Sequence, residues 1–263
     1  MAMTKFLRAP TQRYLSWPKA LTVPLAFMLG LSACQTSAPP PPSAAQINQL
    51  ALDVEAAAVA DMTIMNHCSA LGGPSGSYAE AARESWQFAN QELLTDAERL
   101  LNDSRVNHVT IDAMPYSLAA IARVHDLSVE AGEQLNLAGR SPNGQKNVCQ
   151  RELTRIETET YSSLSDLPTR MALSEQAQSL TELETGVADI LTRWARWPKP
   201  GRSYITLAES AKAQCTTQSR IITLDNNWPN ERYAVYCGTE PVGLYECEWG
   251  TCEASTSELP ERS

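Results

Sequence analysis

Three histidines, seven cysteines and two tryptophans set among arginines are the groups in this 263-residue chain whose types and spacing could do chemistry. His67 stands beside Cys68, the adjacency that a thiolate nucleophile and its base would use. Neighbours on a helix point about 100° apart, however, and Cys68 reads better as half of a disulfide. No His-x-x-x-His or Glu-x-x-His pair occurs, which removes the helical zinc-hydrolase and di-iron signatures. His125, on an otherwise apolar helix, reads as a partly buried, hydrogen-bonded side chain. There is no Gly-x-Ser-x-Gly, and Ser16 to Lys19, the one Ser-x-x-Lys, lies in the N-terminal targeting segment. Gly72-Gly73-Pro74-Ser75-Gly76 lacks the lysine of a phosphate loop and reads as an interhelical turn. No catalytic residue, metal ligand set or cofactor is expected. Arg193, Trp194, Arg196 and Trp197, beside Pro198 and Lys199, form an aromatic and basic cluster on an acidic chain. Such a cluster suits a partner, a glycan or an anionic headgroup. Packing of both tryptophans at a junction, with the arginines offsetting a helix dipole, is the preferred reading, because the composition breaks at the same place.

The N-terminus carries Lys5, Arg8, Arg13 and Lys19 with no acidic residue, followed by the apolar run Leu21 to Ala33. That is a charged region, a hydrophobic region and a small-residue cleavage site. The run is about 13 residues, against about 20 for a spanning helix, and Pro24 and Gly30 interrupt it. Leu31-Ser32-Ala33-Cys34 resembles the lipobox of bacterial lipoproteins, a resemblance confined to residues 1–35. It implies removal of residues 1–33 and acylation of Cys34, which becomes the first mature residue. In that family the residue after the cysteine helps sort the protein. Gln35 is not the aspartate linked to inner-membrane retention in enterobacteria, so the resemblance implies an outer-membrane anchor facing the periplasm. Multiple acyl chains on one cysteine would hold it there stably.

Loss of residues 1–33 removes four basic groups and no acidic one, taking the net charge from −9 to −13. A surface this acidic argues against nucleic acid and against polybasic docking on anionic lipid. With Cys34 lipidated, six cysteines remain, an even number in an oxidising compartment, which suggests three disulfides. Their distribution favours Cys68 with Cys149, Cys215 with Cys237 and Cys247 with Cys252. A metal site among the last four is the weaker alternative, since no Cys-x-x-Cys pair exists.

The elements that must position these groups are mainly helical. After the lipidated cysteine, residues 34–45 hold four consecutive prolines, an extended tether. Ile47, Leu50, Val54, Ala57, Met65 and Cys68 recur at helical spacing, with Asp61 in the same stripe and in need of a polar partner. Ser77 with Glu80 has capping-box spacing and predicts the start of a second helix, carrying Ala82, Trp86, Ala89, Leu93 and Ala97. Residues 105–114 read as a loop, and Pro115 as the first turn of a third helix ending near Gly139. A fourth helix carries Cys149, Leu153, Ile156, Thr160 and Leu164 until Pro168 interrupts it. A fifth runs from about Thr169 to Trp197, with Leu183 or Glu184 in its stripe. Together residues 46–198 predict an antiparallel bundle of about five helices.

Beyond Pro198-Lys199-Pro200-Gly201 the composition favours strands. Residues 204–215 carry both strand and helix signals. Residues 220–224, 232–237 and 242–248 read as three strands of a small antiparallel, disulfide-stabilised module spanning 199–255, with a disordered tail at 256–263. The expected role is that of a lipid-anchored, non-catalytic interaction or assembly component of the Gram-negative envelope, with envelope proteins as partners. The alternatives are an envelope-polymer hydrolase and a periplasmic ligand or metal binder.

Overall fold

A computed structural model describes residues 40–102, 108–137, 139–180 and 185–255. The targeting segment, Cys34 and the tail at 256–263 lie outside these, as do Leu183 and Glu184. Of the two units into which the chain divides, Met1–Pro40 is described only at Pro40, and the fold below is that of the second, from Pro41 on.

Helix α1 (Ala44–Ala70) is the centre of the molecule. It starts at a reciprocal cap, in which the Ser43 backbone N–H donates to Gln46 Oε1 at 2.8 Å and the Gln46 N–H donates to Ser43 Oγ at 3.3 Å. It packs against α2 (Gly73–Leu101), α3 (Leu118–Leu135), α4 (Pro142–Thr158), α5 (Leu167–Gln178) and α6 (Val187–Arg193). Neighbours on several sides require apolar residues on several sides. Ala51, Val54, Ala58, Val59, Ile64, Met65 and Cys68 are accordingly all buried.

Seven α-helices occur among the described residues, α7 being Tyr204–Gln214. The predicted fifth helix is two helices, α5 and α6, and the predicted fourth ends at Thr158. Thr160 and Leu164 therefore flank a 3-10 turn, Tyr161–Ser163, rather than extending the α4 stripe. Pro168 does not interrupt a helix; it sits in the first turn of α5, where its missing N–H costs nothing. Likewise α2 begins at Gly73 rather than Ser77. Gly72 and Gly73 take φ of 65° and 55°, and Pro74 sets the first turn.

Part of the segment expected as a loop is a hairpin. Strand β1 (His108–Ile111) pairs antiparallel with β2 (Met114–Ser117), so Pro115 lies in a strand, and α3 starts three residues later with Ser117 as its cap. The turn residues Asp112 and Ala113 both have positive φ, the backbone of a tight two-residue hairpin.

Four further strands, β3 (Ser219–Asn227), β4 (Asn230–Cys237), β5 (Glu240–Glu248) and β6 (Thr251–Ala254), form an antiparallel meander in chain order. Four strands replace the three expected, because a short β6 follows Trp249-Gly250; β3 is also longer than expected, continuing through residues 225–227. The sheet is covered on both faces. Ile222, Leu224, Ala234, Tyr236 and Leu244 join the core of α1–α6, whereas Tyr233, Val235 and Cys247 pack with Leu207 and Ala211 of α7. The composition break near residue 198 is thus a change of secondary structure within a continuous core.

Candidate interaction site

The six remaining cysteines pair as the sequence suggested. Cys68–Cys149 joins the end of α1 to α4, Cys215–Cys237 joins the end of α7 to the end of β4, and Cys247–Cys252 bridges β5 and β6. None is left as a free nucleophile or thiolate ligand among the described residues.

The aromatic and basic cluster divides. Trp194, at the C-terminal cap of α6, is 3% exposed and stacks on Trp197 with ring centroids 5.4 Å apart and planes 9° from parallel. Its indole N–H donates to the Leu224 carbonyl at 2.8 Å, and that of Trp197 donates to Ser128 Oγ at 2.8 Å. His125 meets Trp197 edge-on at 4.8 Å. The two rings therefore fasten α6, α3 and β3 together. Arg193 is held over Tyr116 and Trp194 and donates to Asp112, which also accepts from Arg232. These two guanidiniums, Arg193 first, hold the Asp112 carboxyl below the usual range.

Arg196, together with Arg193, lines a groove of about 710 Å³ between α1, α3 and the end of α6, with Thr63, His67, Val129, Gly132 and Leu137 among its walls. Thr63 and His67 are four apart and so share a face of α1. Thr63 Oγ1 and His67 Nε2 are both buried without a hydrogen-bond partner. Burial first, then Arg196, disfavours the charged form of His67, with Gln145 opposing them. The groove is mainly apolar, and the exposed Arg196 among its lining residues can meet an acceptor from outside.

The buried carboxylates, by contrast, are occupied with one another's helices. Asp61 accepts from Arg155 Nη2 at 2.7 Å and from the Tyr161 hydroxyl at 2.9 Å, and that hydroxyl accepts from Trp86 Nε1 at 2.6 Å. This supplies the polar partner that the position of Asp61 demanded. Burial still pushes its carboxyl up, ahead of the opposing pull of Arg155. Glu55, 1% exposed on α1, pairs with Arg123 at 3.0 Å, and Arg123 also donates to Asn102. Glu98 on α2 accepts the Val187 N–H at 2.6 Å at the start of α6. Sequence reasoning missed Glu55 and Glu98, since an acidic residue on a long helix looks like solvated surface until its neighbours are known. No group of three or more His, Cys, Asp or Glu among the described residues is arranged to hold a metal ion, and no described helix is long and apolar enough to cross a membrane.

No family model, curated protein or solved structure matches this chain. Its function is therefore argued from its own residues.

Proposed function

We propose that the chain is a lipoprotein anchored through Cys34 in the outer membrane, with its folded part in the periplasm, where it serves as a non-catalytic interaction or assembly component of the envelope. The observation that carries this reading is the conjunction of Leu31-Ser32-Ala33-Cys34 with a domain closed by three disulfides. Disulfides persist in oxidising compartments, the destination that the lipobox resemblance implies. The six-residue stretch from Gln35 through Pro40 and the prolines up to Pro42 would hold α1 off the membrane. An antiparallel packing of the helices as a bundle belongs to the same reading, with α1 as its axis.

The groove beside Arg196 is the contact surface in this proposal. It is concave, within the ~300–1,000 Å³ range of ligand sites, mainly apolar, and carries Arg196 to meet an acceptor on a partner. The test has two readouts. Mass spectrometry of the purified protein is expected to find an acylated Cys34 at the mature N-terminus, and Cys34→Ala should leave the membrane fraction. A photo-crosslinking residue at Arg196 should capture a discrete envelope partner, whereas one at exposed Glu157 on α4 should not. An unmodified Cys34, or identical crosslinks from both positions, would sink the reading.

A further inference from the structure

At the far end of the sheet, two turns present tryptophan to solvent. Trp228 lies in the β3–β4 turn and Trp249 in the β5–β6 turn, which an antiparallel meander brings to the same end. Their rings touch at right angles, centroids 5.7 Å apart, and the Trp249 backbone N–H donates to the Pro229 carbonyl at 3.1 Å. Yet Trp228 is 40% and Trp249 69% exposed. Burying an indole is strongly favourable, so two in contact with each other and left at the surface do little for the fold.

The pair is held in place from below. The guanidinium of Arg202 lies 4.8 Å from the centre of the Trp228 ring. Arg202 is fixed through its backbone, because buried Glu231 accepts the N–H groups of Arg202 and Ser203 at 2.8 and 2.9 Å and the Tyr233 hydroxyl at 2.8 Å. Gly201 is required there, since any Cβ would collide with the Glu231 carboxylate. The Cys247–Cys252 bridge links residues directly opposite each other across the hairpin that bears Trp249. Its loop is the shortest of the three, so its effect is chiefly local: it restrains the turn.

Where these turns end, a polar groove of about 550 Å³ begins, its walls including Asn230, Arg232, Glu246, Glu248, Thr251 and Glu253. Asn230 follows the Trp228 turn directly and Glu248 precedes Trp249. An exposed indole face attracts the C–H face of a pyranose ring, whose hydrogens carry partial positive charge. Carboxylates and amides alongside can accept and donate to its hydroxyls, and a rigid site loses little ordering entropy on binding. Four glutamates, Glu231 included, against one arginine in the groove repel anionic ligands. They also oppose insertion among anionic headgroups, which a membrane contact would require.

We propose that this tip binds a neutral saccharide chain, probed below in its extended β-1,4-linked form, one sugar stacking on Trp249 and the next lying in the groove. The assignment concerns only folded residues and stands or falls separately from the Cys34 anchor. The test is calorimetric titration of the full chain with two probes, the hexamer of β-1,4-linked N-acetylglucosamine and cellohexaose. At least one is expected to bind saturably; tighter binding of the first would identify an amide-bearing polymer and of the second a plain glucan. Trp249→Asn, chosen because Trp249 has a φ of 53° and asparagine tolerates that conformation, should weaken binding about tenfold or more. Arg202→Ala should weaken it several-fold, and Phe88→Ala, on the distant face of α2, not at all. Binding of neither sugar overturns the proposal. So does equal binding by Trp249→Asn, or a tryptophan fluorescence shift with phosphatidylethanolamine–phosphatidylglycerol vesicles in place of sugar binding, which would make the tip a membrane contact.

Discussion

Glu98 shows how a single side chain can make the stability of the whole fold respond to pH. Its carboxyl is pushed up to about 7, first by burial, with Glu55 and Asp189 adding repulsion and the Val187 N–H and Arg123 opposing. A buried acid whose folded-state value exceeds its unfolded one holds a proton that the unfolded chain has already lost. Between about 4.5 and 7 the folded state therefore binds more protons, and the contribution to stability falls as pH rises through that window. It is largest below 4.5 and levels off above 7. At one pKa unit per about 1.4 kcal/mol, the full swing attributable to Glu98, from 4.5 to about 7, is on the order of 3–4 kcal/mol. Glu98→Gln keeps the acceptor for the Val187 N–H and removes the charge. Denaturant unfolding at pH 5 and pH 8 should show the variant more stable than the wild type at pH 8 by about that amount, and nearly equal at pH 5. Equal stabilities at pH 8 would mean that the carboxylate is solvated when ionised. Gly186 belongs to the same arrangement, since a Cβ there would meet the Glu98 carboxylate.

Among the elements, those whose pattern is local were legible in the sequence, and those fixed from a distance were not. α1 was visible because its apolar residues recur at helical steps and its end is marked by Gly72-Gly73-Pro74. The three cysteine pairings followed from where the cysteines fall. By contrast, α7 opens with Tyr204-Ile205-Thr206, residues that favour strands. It is helical because Glu231, in β4, accepts the backbone N–H groups just ahead of it. The β1–β2 turn was hidden for a different reason: Ala113 has a φ of 66°, a conformation its residue type rarely signals. α5 ends at Ser179, and the first N–H of α6 is accepted by Glu98 from α2, a partner that its own sequence does not announce. The bridges also differ in what they do. Cys68–Cys149 closes a loop of 81 residues in sequence separation and Cys247–Cys252 one of 5. In the chain-entropy account the first contributes roughly 4–5 kcal/mol and the second about 2. Replacing each pair by alanine and measuring chemical unfolding should reproduce that order. Should the Cys247–Cys252 deletion cost the more, local packing of the hairpin rather than loop closure would set the stability.

For the whole molecule, the decisive feature is that β4 is buried on both faces. Ala234 and Tyr236 point into the core of α1–α6, Tyr233 and Val235 toward α7. Read from sequence, residues 199–255 looked like a small module whose disulfides made up for a thin core. In the folded chain that segment shares its core with the helices. The Tyr236 hydroxyl donates to the Leu118 carbonyl at 2.9 Å, the Trp194 indole to Leu224, and Arg220 reaches Asp126 on α3. These ties leave the sheet no surface on which to unfold by itself, so helix and strand should be lost in one transition. The calorimetric and van't Hoff enthalpies should agree. Tyr236→Ala, which empties a fully buried site at the centre of the shared core, should cost about 3–5 kcal/mol and lower the midpoint on the order of 10 °C. The loss should register equally in the helical circular dichroism and in the fluorescence of Trp228 and Trp249 at the sheet tip. A sheet that melted ahead of the helices would show two transitions. It would also mean that the bridges at Cys215–Cys237 and Cys247–Cys252, rather than the common core, keep the Trp228–Trp249 tip in shape.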